Sequence, residues 1–536
     1  MSPRVSQEAM NSMLKNAGVV VEPLTGAIMS AEAKAKRESQ ARLLWQEAIV
    51  AYLRKGYELP CGACLGFELE HFIVKKDTNE LVSFTGECGV EDVLASIQSY
   101  YEDSIFECDD AGDEYLVGLI RDKSVITLEP GAQIEISIGP VTEITKIEQI
   151  YQQFLDEINP VLEQKGLMLL TIGCHPTAKA SDIPLIPKKR YYYMDKYFTS
   201  TGKYAKNMMR ASTSCQVSVD FSSEADAILK LRVSSILAPL LAFITDNSPC
   251  FEGEAIGSRS AISKTNDDAS ALATKIDDAS VLTKTTNDEA LMRMARTKIW
   301  SNVDKCRAMT APHALNDNYG FYQYAADILD APAIFLPTGD NGEPMVYVGN
   351  LSFVQALAAY KDRYNPNTNP ERIVEHMLSL FFYDARLKNY VEIRPADSLP
   401  LTYALAYVAL IKGIFYQRQA LMDFANTFLN ISADDIVLAK EALAKDGFKT
   451  IIYNRPATDW LEEMLEFANN GLPEQERHFL EPLAILVRER KTLLDFAVAD
   501  FAAADQAHSQ FAIADFAVAD FAVAAQKQTQ DETPSL

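Results

Sequence analysis

Residues 65 to 74, LGFELEHFIV, alternate so that Phe67, Leu69 and His71 fall on one face of a strand and Glu68 and Glu70 on the other, because successive side chains of an extended chain point to opposite sides. The same two-residue period recurs three times. In ITLEPGAQIEISI, the positions Glu129, Gly131, Gln133, Glu135 and Ser137 share one parity against Ile134, Ile136 and Ile138. In SCQVSVDF, Ser214, Gln216, Ser218 and Asp220 oppose Cys215, Val217, Val219 and Phe221, and in NYVEIRPAD, Tyr390, Glu392 and Arg394 oppose Val391 and Ile393. Long stretches of helical character separate these segments, at 141 to 166, 223 to 246, 371 to 387 and 402 to 430. Residues 1 to 55 also read as largely helical, through AEAKAKRESQARLLWQEAIVAYLRKG, with Gly56 after the last turn. The pattern predicts an α+β domain over about residues 56 to 490, with helices packed on one side of a largely antiparallel sheet and a carboxylate-rich face on the other.

If the four strands share that sheet, Glu68, Glu70, Glu129, Glu135, Asp220 and Glu392 converge on one surface. Two carboxylates about 5 Å apart repel by roughly 3 kcal/mol at an effective dielectric near 20, so such a cluster takes up protons or binds cations. One strand alone reads equally well as a water-facing surface. Four fronts with almost no cation besides Arg394 favour a metal-binding face, and hard oxygen ligands suit Mg²⁺ or Mn²⁺, which in turn suit nucleotide phosphates. The chain has no G-x-x-x-x-G-K-[ST] loop and no G-x-G-x-x-G after a strand, so metal ions, not a P-loop, are expected to hold a nucleotide.

A formal net charge of -24 argues against nucleic-acid binding and against adhesion to an anionic membrane. Residues 1 to 18 lack an apolar signal core, and the longest apolar runs fall short of the roughly 20 residues of a spanning helix, so a cytoplasmic protein is expected. Eight cysteines are too sparse for a disulfide scaffold, and CGAC at 61 to 64 has no second CxxC to complete a zinc site. His71, His175 and His313 stand singly and are expected to be structural. Residues 255 to 290 repeat a TK/DDAS theme without aromatics and read as a mobile insertion. From 495 to 524 a five-residue period places Phe at 496, 501, 511, 516 and 521; that period turns a helix by about 140° per repeat, so the rings cannot share a helical face. The tail resembles a pentapeptide repeat too short to fold alone, followed by a disordered terminus at 525 to 536.

Seven segments in order, GFELEHF, ITLEPGAQIEIS, MMRASTSCQVSVDFSSEAD, TDNSPCFEG, RTKIWSNVDKCR, YGFYQYAADILDAPAIF and NYVEIRPAD, resemble the glutamate-cysteine ligase family of the plant and bacterial type, whose fold is related to glutamine synthetase. The resemblance covers roughly residues 60 to 430. It implies that ATP phosphorylates the γ-carboxylate of glutamate and that the amine of cysteine displaces phosphate, the first step of glutathione synthesis. By motif match it implies Glu68, Glu70, Glu129, Glu135 and Glu392 as metal ligands with Gln216 beside them. Arg394 is implied as a phosphate contact, Arg296 as a clamp on the glutamate carboxylate with Arg307 closing the same motif, and Asp220 as a nucleotide-side contact. Arg210 transfers less directly, because the plant pattern places the arginine one position later, at Ala211. IPKKRYYYMDKYF, with Lys188, Lys189 and Arg190, is expected to form a loop serving as a lid or substrate wall. The substrates implied are ATP, glutamate and cysteine, with no nucleic acid, no membrane and an unspecified oligomeric state. No fusion to an ATP-grasp enzyme is expected. Two rivals stay open: a carboxylate-amine ligase with another amine acceptor, and a non-catalytic, cation-stabilised interaction protein.

Overall fold

Among the described residues, nine strands form one sheet in which every pairing is antiparallel. They are β1 (Leu65–Lys75), β2 (Asp103–Cys108), β3 (Glu114–Arg121), β4 (Ser124–Leu128), β5 (Ile134–Val141), β6 (Leu167–Leu170), β7 (Ser214–Val219), β8 (Ala385–Leu387) and β9 (Val391–Asp397). The order is β8-β9-β7-β1-β5-β4-β3-β2, and β6 pairs with the far half of β1. The computed structural model describes residues 30–58, 62–109, 111–255, 293–340, 342–428 and 430–496. The expected insertion, repeat tail and C-terminus lie outside these residues, apart from Ala255, Asp495 and Phe496.

The apolar parities meet a helical layer. Phe67 and Leu69 of β1, Ile134, Ile136 and Ile138 of β5, Cys215, Val217 and Val219 of β7, and Val391 and Ile393 of β9 are all buried in one core. Helix α2 (Ile144–Gln164) presents Ile147, Ile150, Tyr151, Phe154, Ile158 and Leu162 at three- and four-residue spacing, the stripe that a sheet-packed helix requires, and lies against β5 and β6. Helices α4 (Glu224–Ile244) and α6 (Leu401–Phe415) complete the layer against β9 and β7. By length and hydropathy α4 passes for a membrane span, yet nearly all of it is covered by the rest of the chain. His71 follows the apolar parity, with Nε2 on the Tyr151 hydroxyl at 2.7 Å and Nδ1 at 3.2 Å from the carbonyl of Ile134. Burial lowers its pKa to about 4, so it is a neutral structural residue. His175 is likewise buried and held down, to about 4, whereas His313 pairs with Asp327 at 2.7 Å.

Three expectations are corrected. Helix α1 (Ala31–Glu58) runs through Gly56; that glycine does not end the helix but permits close packing, since a Cβ there would stand 2.4 Å from the carbonyl of Asn389. ITLEPGAQIEISI is a hairpin, not one strand, because the Glu129 N–H donates to the Gln133 carbonyl at 2.9 Å and reverses the chain. The helix expected over 371 to 387 stops at Ser379, and the aromatic-rich stretch beyond it is extended and leads into β8. Cys64, at the root of β1, is disulfide-bonded, while Cys88, Cys108, Cys174, Cys215, Cys250 and Cys306 are free thiols.

One buried ion pair ties helices α2 and α6 together. Lys412 of α6 donates to Glu476 at 2.5 Å and to the carbonyl of Thr142 at 2.7 Å, while the other oxygen of Glu476 accepts the N–H of Ile144 at the start of α2. Replacing Glu476 by alanine leaves a buried ammonium without its counter-charge and is expected to cost about 3–5 kcal/mol in urea unfolding. A loss below about 1 kcal/mol, typical of a surface pair, contradicts that assignment.

Candidate active site

The polar parities of β1, β4, β5 and β7 floor a cavity of about 310 Å³. Glu68 stands opposite Gln216 of β7 and Ser137 of β5, and Glu70 stands directly opposite Glu135. Like charges directly across an antiparallel pair are destabilising, so the register itself builds the conflict. Glu129 enters from the β4–β5 turn. Around this acidic floor the rim carries Lys188, the residue before helix α3 (Lys189–Phe198), Arg190 and Tyr191 of that helix, Arg296 and Trp300 of helix α5 (Ala295–Ser301), and Arg386, Lys388 and Arg394.

Hydrogen bonds orient the acids without neutralising them. Glu70 accepts from the N–H and Oγ of Ser214, at 2.9 and 2.7 Å, and from Nε2 of Gln216 at 3.0 Å. Glu135 accepts from Thr127 Oγ1 at 2.9 Å and Ser137 Oγ at 3.2 Å. Burial, followed by repulsion from Glu135 and Glu392, pushes Glu68 up to about 8. Burial with Glu129 and Glu135 pushes Glu70 up to about 8, and burial with Glu129 pushes Glu135 up to about 7. Glu129 is raised by burial despite Lys188 and Arg190.

Glu392 differs. It is fully buried behind the cavity wall, and although burial opposes its charge, Arg386, Lys388 and Arg394 outweigh that and hold it well below the ordinary carboxylate range. Arg394 also donates through Nη1 to Oε1 of Gln216. Glu392 and Gln216 therefore stand in the cluster, but their acceptor atoms are engaged by cations, which corrects the expectation of Glu392 as a fifth carboxylate ligand with Gln216 beside it.

Arg296 is buried at 4% exposure, with Nη1 on the carbonyls of Arg394 and Pro395 at 3.3 and 3.2 Å, its guanidinium over Trp300, and Nε without a hydrogen-bond partner. Three expected residues are not in the cavity. Arg210 ends a short helix, Ala205–Arg210, and spends its guanidinium on Asp195 and the carbonyl of Ile183; the strand begins only at Ser214, so the polar parity does not reach it. Arg307 is wholly buried against Asp304 and the carbonyls of Leu380 and Pro332. Asp220 lies just past the end of β7, where the alternation stops, with its N–H on Tyr416 and its carbonyl accepting from Lys230. The segment expected as a loop lid is instead helix α3, whose first turn forms part of the rim. Arg386, Lys388 and Trp300 were not expected. Lys388 and Arg386 lie across the reversal that precedes β9, where the two-residue period of NYVEIRPAD does not carry over.

Among the described residues no three acidic, histidine or cysteine side chains already close into a cation cage. The donor set nevertheless fits Mg²⁺, which keeps several waters and takes one or two carboxylates together with substrate phosphates. Glu68, Glu70, Glu129 and Glu135 are hard oxygen donors whose mutual repulsion a divalent cation relieves.

Residues 64–496 match the model of glutamate-cysteine ligase family 2. Chloroplastic glutamate–cysteine ligase B of Oryza sativa subsp. japonica is 26% identical over 448 residues, covering 83% of this chain and 81% of its own. The chloroplastic enzyme of Arabidopsis thaliana is 28% identical over 453 residues, covering 83% and 77%. A Francisella tularensis glutamate–cysteine ligase solved with AMP aligns over 88% of this chain and 95% of its own at 14% identity and a TM-score of 0.45, too distant a likeness to add to the family match. The plant relatives overturn the cytoplasmic expectation, since they are plastid proteins.

Folded, cation-free protein keeps protons on Glu68, Glu70 and Glu135 up to about 8, 8 and 7, whereas an ordinary glutamate loses them near 4.5. The folded state therefore binds more protons across this interval, and its stability falls as pH rises through it. The melting temperature in EDTA is expected to drop between about pH 5 and pH 8, and saturating Mg²⁺ to flatten that slope. A melting temperature that stays level or rises over the interval in EDTA contradicts the raised values.

Proposed function

The chain belongs to glutamate-cysteine ligase family 2, and from that premise we propose how its charged cavity carries out the reaction. That reaction is the ATP-dependent ligation of glutamate and cysteine in glutathione synthesis. The observation that carries the proposal is the polarity of one cavity, with four carboxylates on its floor and Lys188, Arg190, Arg296 and Arg394 on its rim.

Glu68, Glu70, Glu129 and Glu135 would hold Mg²⁺, with Mn²⁺ as an alternative occupant, and a metal held there would supply positive charge against the nucleotide phosphates. Arg394 faces the transferring phosphoryl group, where forked donors stabilise charge spread over its oxygens. Arg296 takes the carboxylate of substrate glutamate; its burial and its unpartnered Nε support that role, since a buried donor without a partner is costly until a ligand satisfies it. With glutamate anchored by Arg296, its γ-carboxylate attacks the γ-phosphorus of ATP and the bond to ADP breaks. The amine of cysteine then attacks the acyl phosphate, phosphate leaves, and the amine proton is released. Catalysis is chiefly positioning and electrostatics.

Phosphate release from ATP, Mg²⁺, glutamate and cysteine tests the reading against controls lacking either amino acid. Replacing Glu68 by glutamine is expected to lower kcat by about 10²-fold or more. Replacing Arg296 by alanine is expected to raise KM for glutamate about tenfold or more while moving kcat less. No cysteine-dependent phosphate release from the wild-type protein would sink the proposal, and preference for another amine would redirect it.

A further inference from the structure

Arg386 lies on the short edge strand β8, directly across from Glu392 of β9, and no motif of the sequence pointed to it. Its Nε and Nη2 donate to the two oxygens of Glu392 at 2.7 and 2.9 Å, a fork that fixes the plane of the carboxylate. Its Nη1 is tied to the carbonyl of Phe381 at 2.8 Å, so the guanidinium itself has no freedom to turn. An ionised carboxylate offers about four acceptor positions. Arg386 occupies two. One of the remaining two takes Nη1 of Arg394 at 2.8 Å and the other Nζ of Lys388 at 3.2 Å.

Arg394 is consequently held through a single nitrogen, which also reaches Gln216. Among the described residues nothing accepts from its Nε or Nη2, although its side chain lines the cavity. A buried carboxylate with two vacant acceptor positions would draw Arg394 into a two-pronged pair and turn its free donors away from the cavity. We propose that Arg386 is a positioning residue: by saturating half of Glu392 it limits that acid to one bond with Arg394, and so keeps the other donors of Arg394 turned to the phosphoryl group. This rests on the ligase reading of the cavity.

Arg386→Gln, Arg394→Gln and their combination test the proposal, with Arg386→Lys as the variant that keeps the charge but loses the fork. Arg386→Gln is expected to lower kcat about tenfold or more with KM for glutamate within about threefold, and to lower kcat by less than about threefold when added to Arg394→Gln, because both changes remove one function. Arg386→Lys is expected to lose about fivefold or more in kcat while melting within about 2 °C of the wild type, a split that a purely structural role does not produce. Losses that multiply in the double variant, or full kcat in Arg386→Lys, overturn the proposal. Affinity for a non-hydrolysable ATP analogue with Mg²⁺ separates it from the ligase reading. A wild type that binds the analogue but releases no phosphate removes that reading, and equal, non-cumulative weakening in Arg386→Gln and Arg394→Gln still supports the positioning role. Cumulative weakening overturns it, and a wild type that binds no analogue overturns both.

Discussion

Repulsion among carboxylates that the register of an antiparallel sheet sets face to face is the constraint on which the rest of the molecule depends. Glu70 and Glu135 are cross-strand partners, Glu68 is two residues along, and Glu129 arrives from the adjoining turn. Hydrogen bonds from Ser214, Thr127 and Ser137 favour the charged forms of Glu70 and Glu135 but supply no counter-charge, so burial and repulsion prevail. A fold that keeps such an arrangement sacrifices stability at the site, and the apolar layer beneath it, from Phe67 and Leu69 to Ile136 and Val217, supplies the rigidity that prevents the strands from slipping apart.

The second charge system answers the first. Three cations surround one buried acid, Glu392, and present a net positive edge to the acidic floor. Electrostatic preorganisation of this kind is effective because its parts are fixed before a ligand arrives. Arg296 adds a donor from a different element, held against the backbone of β9 by two carbonyls, so the two systems share one strand as their reference. The separation of sign across about 310 Å³ is what a reaction between a polyphosphate and amino-acid carboxylates demands.

Much of this was legible in the sequence, and the losses are instructive. Two-residue alternation located Glu68, Glu70, Glu135, Gln216 and Glu392 on one face, because a buried back leaves a strand no choice of register. The rule failed where the strand ended: Asp220 follows β7, where parity has no meaning, while Arg210, carried over by motif alone, ends a helix before that strand. Arg307 shares a motif with Arg296, but adjacency in a motif says nothing about which of two arginines faces a cavity and which fills the core. Arg386 was lost to a helical reading of 371 to 387, where apolar residues are too evenly spread to separate a helix from an extended segment. Cross-strand pairing of Arg386 with Glu392 depends on a reversal at Lys388 to Tyr390 that carries no glycine or proline to announce it.

Crystals of the protein soaked in Mn²⁺ and measured for anomalous scattering would test the central claim most directly. Metal peaks are expected inside the cavity, in direct contact with carboxylate oxygens drawn from Glu68, Glu70, Glu129 and Glu135. Peaks confined to the outer surface, with these four acids unligated at saturating Mn²⁺, would contradict it.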